Sequence, residues 1–150
     1  MTLSLMIHSL AAVVWVGGMF FAYVILRPTL QEWEALERLR LWKEVFRRFF
    51  PWVWMSVLAL LASGYFMIFF GLGGFSGVGL HVHLMHLTGW IMIALFGVLF
   101  HVPWIAFLRA VDREDVATAA TKLATIRMIV LTNLVLGLVT VAVASSGRYW

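Results

Sequence analysis

Four long apolar runs constrain this chain more than any other feature of its sequence. The first covers residues 3–26, with His8 as its only strongly polar member, and the others cover about 52–70, 81–108 and 123–144. A helix of about 20 apolar residues crosses the roughly 30 Å hydrocarbon core of a bilayer. With 63% hydrophobic and 12% charged residues, the composition also differs strongly from that of a soluble domain. The runs therefore predict four membrane-spanning helices.

We expect an all-α protein in which the four spans form one bundle, a single integral membrane domain over residues 1–150. Residues 27–48, between the first two spans, are the most charged part of the chain. Their apolar stripe consists of Leu36, Leu39, Trp42, Phe46 and Phe49. This pattern predicts a short amphipathic cytoplasmic helix, lying at the membrane surface or extending a span. Residues 29–32 (TLQE) have the form of a capping box for its start.

The basic residues are distributed unevenly among the connections. Six lie between spans one and two, four lie between spans three and four, and Arg148 alone follows the last span. Connections rich in Lys and Arg stay in the cytoplasm, so we expect a multi-pass protein of a bacterial inner membrane with both termini in the periplasm. The same distribution accounts for the net charge of +4. We therefore expect the lipid bilayer, and no nucleic acid, as a partner.

Most of the histidines are predicted to lie at one depth, near the periplasmic face. His8 is about six residues into the first span, and His83 and His86 are about four and seven residues into the third. At 1.5 Å per residue, these depths agree within about 5 Å. Ionisable side chains in a membrane are costly and usually functional, and histidine is a common metal ligand. His101 lies about 27 Å deeper than His83, so we expect it to make only packing or hydrogen-bond contacts.

Two imidazoles from facing helices of a bundle can ligate a haem iron from both sides. We predict a haem b whose iron is bound by His8 and His83, with His86 as the substitute second ligand. The residues predicted to contact this cofactor are His8, His83, His86, Trp15 and Arg148. Bis-histidine iron has no open coordination position, which favours electron transfer over oxygen binding. The expected role is a small cytochrome passing electrons from a periplasmic donor or superoxide to a quinone.

Two other interpretations of the histidines remain open. Each imidazole can serve only as a hydrogen bond between helices. Alternatively, Met6 and Met85 lie near the cluster in sequence, and their thioether sulfurs suit Cu(I), which allows a copper site. The other methionines are scattered, as is typical of residues that fill gaps in apolar cores. The absence of cysteine excludes iron–sulfur clusters and zinc–thiolate sites.

Three segments resemble the CopD-like and HemJ-like superfamily of bacterial membrane proteins. Residues 8–20 (HSLAAVVWVGGMF) are similar to its first span, residues 80–84 (LHVHL) to its third, and residues 148–149 to the tail of its short members. The likeness to HemJ implies a haem b protein that forms oligomers, expected here as a homodimer, and an oxidoreductase of haem synthesis with His8 as a ligand. HemJ carries lysine where His83 stands, which favours haem binding over protoporphyrinogen oxidation. The CopD name implies copper binding or transport.

Overall fold

The computed structural model describes residues 1–149, without the side chain of Arg148, and the regular elements in that range are helical. The long helices are α1 (Thr2–Thr29), α2 (Ala35–Gly71), α3 (Leu80–Asp112) and α4 (Val116–Ser146). Each of the four is long and apolar enough to cross a membrane. The prediction of an all-α protein with four spans is confirmed, and each helix extends beyond its predicted span at both ends.

The four helices pack as two pairs, α1 against α2 and α3 against α4, and α1 also contacts α4. One end of the bundle holds the two chain termini and the connection 72–79, and His8 and residues 81–86 lie near it. We call it the histidine end. The opposite end holds the connections 30–34 and 113–115, where most of the arginines lie, and we call it the arginine end.

A layer of aromatic side chains fills the bundle between the two ends. Phe46 stacks on Phe50 with ring centroids 5.1 Å apart, and Phe50 meets Phe96 edge to face at 5.5 Å. Trp15, which the sequence placed against a cofactor, is 3% exposed and meets Phe96 edge to face at 6.2 Å. Such aromatic pairs each contribute about 0.5–1.5 kcal/mol beyond the area they bury. In this structure Trp15 is a residue of the aromatic core.

The amphipathic segment takes one of the two forms that the sequence left open. It extends the second span, because α2 is one helix of 37 residues that continues through Pro51, and the prediction of a separate short helix is wrong. Its buried apolar residues recur every three or four positions on both sides of the proline: Leu39, Trp42, Phe46, Phe50, Val53 and Val57. The amphipathic stripe and the stripe of the span are therefore the same face of one helix. Proline is tolerated in a spanning helix when neighbouring groups satisfy the freed backbone.

The predicted capping box at residues 29–32 is wrong. Thr29 is the last residue of α1, and its hydroxyl donates to the Ile25 carbonyl at 2.8 Å, a bond back along its own helix. The next helix begins later, after Glu34. A side-chain cap is found instead at α4, where Asp115 accepts a hydrogen bond from the Thr118 backbone N–H at 3.0 Å. The hydrogen bonds from Thr118 lower the pKa of the Asp115 carboxyl.

Candidate metal site at the histidine end

His8 lies half-buried on α1 and faces α2. Its Nδ1 is 3.0 Å from the Ser63 hydroxyl oxygen, and a Cβ added at Gly64 would lie 3.3 Å from His8 Cε1. The same Ser63 hydroxyl oxygen lies 2.5 Å from the Ala59 carbonyl of its own helix. Ser63 thus holds the His8 ring through Nδ1, and Nε2 takes no part in this bond. Metal-ligating histidines commonly have one ring nitrogen held by a neighbour in this way.

His83 and His86 lie on the first turns of α3, and both contact the ring of Phe75 in the connection from α2. The His83 ring is tilted by 29° to Phe75 with centroids 6.2 Å apart, and His86 meets Phe75 edge to face at 5.2 Å. Residues three apart are neighbours on a helix surface. The two imidazoles, which we call the imidazole pair, thus contact the same aromatic ring.

Tyr65 of α2 packs against the inner member of the imidazole pair. Its ring meets His86 edge to face at 5.5 Å, and its hydroxyl accepts a hydrogen bond from Trp90 Nε1 at 3.4 Å. The rings of Tyr65 and Phe75 also meet each other at 6.3 Å. His86 is half-buried among these rings, whereas His83 is exposed. One imidazole of the pair is therefore open to the surroundings and the other is held by its neighbours.

Two glycines allow Phe75 to reach this position. Gly73 and Gly74 have φ angles of 77° and 86°, a region that residues with a side chain seldom adopt. The Gly74 N–H donates to the Ile68 carbonyl at 2.8 Å, which folds the connection back onto the end of α2. The aromatic ring after these glycines then packs on Phe69 at 5.8 Å. The glycine-rich connection is thus an ordered part of the site.

The third histidine of the cluster faces a different neighbour. His81 packs against the end of α4, where a Cβ added at Gly147 would overlap its side chain. It therefore fixes the first turn of α3 to the end of α4, away from the imidazole pair. The side chain of Arg148, which the sequence placed near the cofactor, lies outside the described part of the chain.

His101 lies toward the arginine end of α3, as expected from its position in the sequence. Its Nδ1 is 2.8 Å from the Gly97 carbonyl of the preceding turn. The helix is interrupted immediately after it, at Val102, because Pro103 lacks an N–H and disfavours helical geometry in the residue before it. His101 is a local hydrogen-bond donor in this structure.

The structure divides the predicted site between different faces of α2. His8 contacts Ser63 and Gly64, whereas the imidazole pair contacts Tyr65. At about 100° per residue, positions 63 and 65 point in nearly opposite directions. Among the described residues, no three or more His, Cys, Asp or Glu side chains form a group that could hold a metal ion. These contacts group His83 with His86 as candidate metal ligands and leave His8 apart from them. Haem ligation by His8 and His83 stays a prediction.

Neither of the aromatic residues that pack on the imidazole pair, Tyr65 and Phe75, was predicted from the sequence. A signal was present, because Phe75 is the one aromatic residue of a glycine-rich, uncharged connection immediately before the histidine cluster. A large apolar side chain in such a connection indicates packing on a neighbouring element.

Comparison with known proteins gave one match. A family model described as copper resistance protein D (CopD) matches residues 43–146, whereas neither the curated proteins nor the solved structures contain a match. The matched range begins within α2 and ends with α4. It includes Tyr65, Phe75 and the imidazole pair, and it excludes His8. Because the match covers more than two thirds of the sequence, the chain belongs to the copper resistance protein D family of membrane proteins.

Proposed function

We propose that this protein binds copper at its histidine end through the imidazole pair. The observation that carries the proposal is that His83 and His86 lie together against Phe75 within the range that the copper resistance protein D family matches. Imidazole nitrogens are good copper ligands. Aromatic neighbours already restrict His86, so ion binding orders few additional groups.

The exposure of the two histidines supports uptake from the surface. His83 is exposed, so an ion arriving from water meets this imidazole first. His86 is half-buried one turn further along α3, and it supplies the second nitrogen without a large movement of the helix. No lysine or arginine repels an arriving copper ion, since the connection 72–79 and residues 80–86 contain neither.

The packing between the two ends supports a role at one side of the membrane only. Phe46, Phe50 and Phe96 of the aromatic layer are each 3% exposed or less. An ion bound at the histidine end would have to displace several of these rings to cross the bundle. We therefore propose capture and delivery of copper at the histidine end, which the charge distribution assigns to the periplasmic face of a bacterial inner membrane.

Copper retention by the purified protein tests this proposal. The protein in detergent is loaded with copper, passed over a chelating resin, and its metal content measured by mass spectrometry. We expect wild type to retain copper and the double variant His83→Ala/His86→Ala to bind it at least about tenfold more weakly, since even second-shell changes cost that much. His101→Ala, on the same helix at the other end, is the matched control and should bind as wild type does. Equal retention by wild type and the double variant would contradict the proposal.

A second candidate is the b-type cytochrome, which one observation favours. The Ser63 hydroxyl holds His8 through Nδ1, so Nε2 is the nitrogen that would meet an iron. Such a protein, acting as a homodimer, would pass electrons between a periplasmic donor and a quinone. An absorption spectrum of the same preparation separates the two candidates. A Soret band that disappears in His8→Ala supports the cytochrome, and copper retention without a Soret band supports the copper site.

A further inference from the structure

A crevice at the arginine end lies between α1, α2 and α4 and is lined by basic and aromatic side chains. Its lining residues include Arg27, Arg127, Tyr23 and Trp42, and its interior of about 10 Å³ has room for one water molecule. The guanidinium of Arg127 lies 5.6 Å from the centre of the Trp42 ring, and that of Arg27 lies 4.9 Å from the centre of the Tyr23 ring. The two guanidinium groups are thus positioned by cation–π contacts with these rings.

Two of the residues that line the crevice carry a buried hydrogen-bond donor without a partner. Trp42, 2% exposed, has an indole N–H that contacts no acceptor in the described structure, and the same holds for Nε of Arg127. A buried donor left unsatisfied is destabilising, and more so when it is charged. A ligand with strong acceptor oxygens at this position would remove that cost.

The charge around the crevice is positive and uncompensated. Arg27 and Arg38 lie close enough to Arg127 to repel its charge. The ion pairs of the described residues are formed by other side chains, so none of these three arginines has a carboxylate within ion-pair distance there. Basic pockets between helices at the arginine-rich side of a membrane are suited to anionic headgroups.

The backbone of α1 also departs from regular geometry at this position. Residues Phe21–Leu26 form a π-helical segment, and Ala22 and Tyr23 within it line the crevice. π-Helical segments are rare and frequently occur at functional sites. Tyr23 in this segment and Arg27 immediately after it both line the crevice.

We propose that this crevice is a binding site for a phosphate oxyanion. The phosphate meets Arg127 and Arg27 at the mouth, and one oxygen accepts from the buried N–H groups of Trp42 and Arg127, directly or through one water. The chemistry is the same for the phosphodiester of an anionic phospholipid and for inorganic phosphate, so the experiment must separate these two sources. The site is independent of the imidazole pair, which lies at the other end of the bundle.

Two assays on the purified full chain distinguish the sources. In the first, the protein is taken from nanodiscs of phosphatidylcholine with or without phosphatidylglycerol, and native mass spectrometry counts the lipids it retains. In the second, inorganic phosphate is titrated into the detergent-solubilised protein while its thermal unfolding is followed. Retained phosphatidylglycerol indicates a lipid ligand. A saturable rise in the unfolding temperature with inorganic phosphate indicates a free anion.

The variants test whether the crevice is responsible. Removing a hydrogen bond to a charged group costs about 1.5–3 kcal/mol, so Arg127→Gln and Arg27→Gln should each weaken binding about tenfold or more. Trp42→Phe keeps the aromatic ring and removes the N–H, and it should weaken binding even if Arg127→Gln does not fold. Arg48→Gln removes the same charge from an exposed position of α2 and serves as the control. The proposal is overturned if neither ligand binds, or if Arg48→Gln weakens binding as much as the crevice variants.

Discussion

At the scale of single residues, Ser63 holds His8 through one ring nitrogen. The Ser63 hydroxyl lies within hydrogen-bond distance of both the Ala59 carbonyl and Nδ1 of His8. We infer that its single hydrogen goes to the carbonyl, so that Nδ1 of His8 donates to its oxygen. The two side chains come from different helices, so the same bond also connects α1 to α2. Interhelical hydrogen bonds of this kind contribute about 0.6 kcal/mol on average in membranes.

We expect Ser63→Ala to lower the stability of the protein by about 0.6 kcal/mol and to release the tautomer of His8. Nitrogen NMR of histidine-labelled protein reports which ring nitrogen is protonated. Wild type should show His8 protonated on Nδ1, and the variant should show a mixture of both tautomers. Ser76→Ala, in the exposed connection 72–79, is the control and should leave the His8 signal unchanged. A His8 signal that is the same in Ser63→Ala as in wild type would contradict this account.

The depth of the histidines could be predicted from the sequence, but their partners could not. Counting residues from the end of each span places His8, His83 and His86 near one end of the bundle, as the structure shows. The direction of each side chain depends on how its helix is rotated about its own axis. That rotation is set by contacts between helices, such as those of Ser63 and Gly64 with His8, which no single span encodes.

At the scale of elements, Gly18 determines how closely α1 approaches α2. A Cβ added at this residue would overlap the ring of Phe49, so only glycine fits without displacing that ring. A Cβ added at the neighbouring Gly17 would meet nothing within 4 Å. The neighbouring glycines therefore differ: Gly18 is a helix contact, whereas Gly17 is exposed on the outer face of α1.

We expect Gly18→Leu to destabilise the α1–α2 pair by about 1–3 kcal/mol, the usual cost of overpacking a tight contact. Gly17→Leu gives the matched control, one residue away, and should be close to neutral. Thermal unfolding of the two variants in detergent provides the comparison. If both substitutions destabilise the protein equally, the contact between Gly18 and Phe49 does not hold the pair together.

The length of α2 shows how far the continuity of a helix can be inferred from sequence alone. The amphipathic stripe before Pro51 and the apolar run after it were both recognised, and extension of the span was one of the two forms left open. A step of three residues from the buried Phe50 leads to the buried Val53, so the two stripes are in register. Continuity of register across the proline was the stronger signal, because only one helix keeps both stripes on one face.

At the scale of the whole molecule, the bundle separates two chemistries. The imidazole pair and its aromatic neighbours lie at the histidine end, and the basic crevice lies at the arginine end. The aromatic layer stands between them and packs α2 against α3 through Phe50 and Phe96. Contacts within this layer hold the two ends at a fixed separation, so a ligand at one end does not touch the residues of the other.

The orientation of the bundle can be tested with single cysteines, because the chain contains none of its own. We expect Ser76→Cys, at the histidine end, to react with a membrane-impermeant maleimide on spheroplasts of the expressing bacteria. Gln31→Cys, at the arginine end, should react only after the membrane is opened, because connections rich in arginine stay in the cytoplasm. Ser76 and Gln31 are both exposed, so the fold itself does not shield either position from the maleimide. The reverse labelling pattern would place the imidazole pair on the cytoplasmic side.

X-ray absorption at the copper edge tests most directly whether the imidazole pair binds the metal. The copper-loaded wild-type protein should show outer-shell scattering from two imidazole rings, and His86→Ala should show scattering from one. His101→Ala should give the wild-type spectrum. A spectrum that does not change when His83 and His86 are both replaced by alanine would contradict the account, because the copper would then be bound elsewhere.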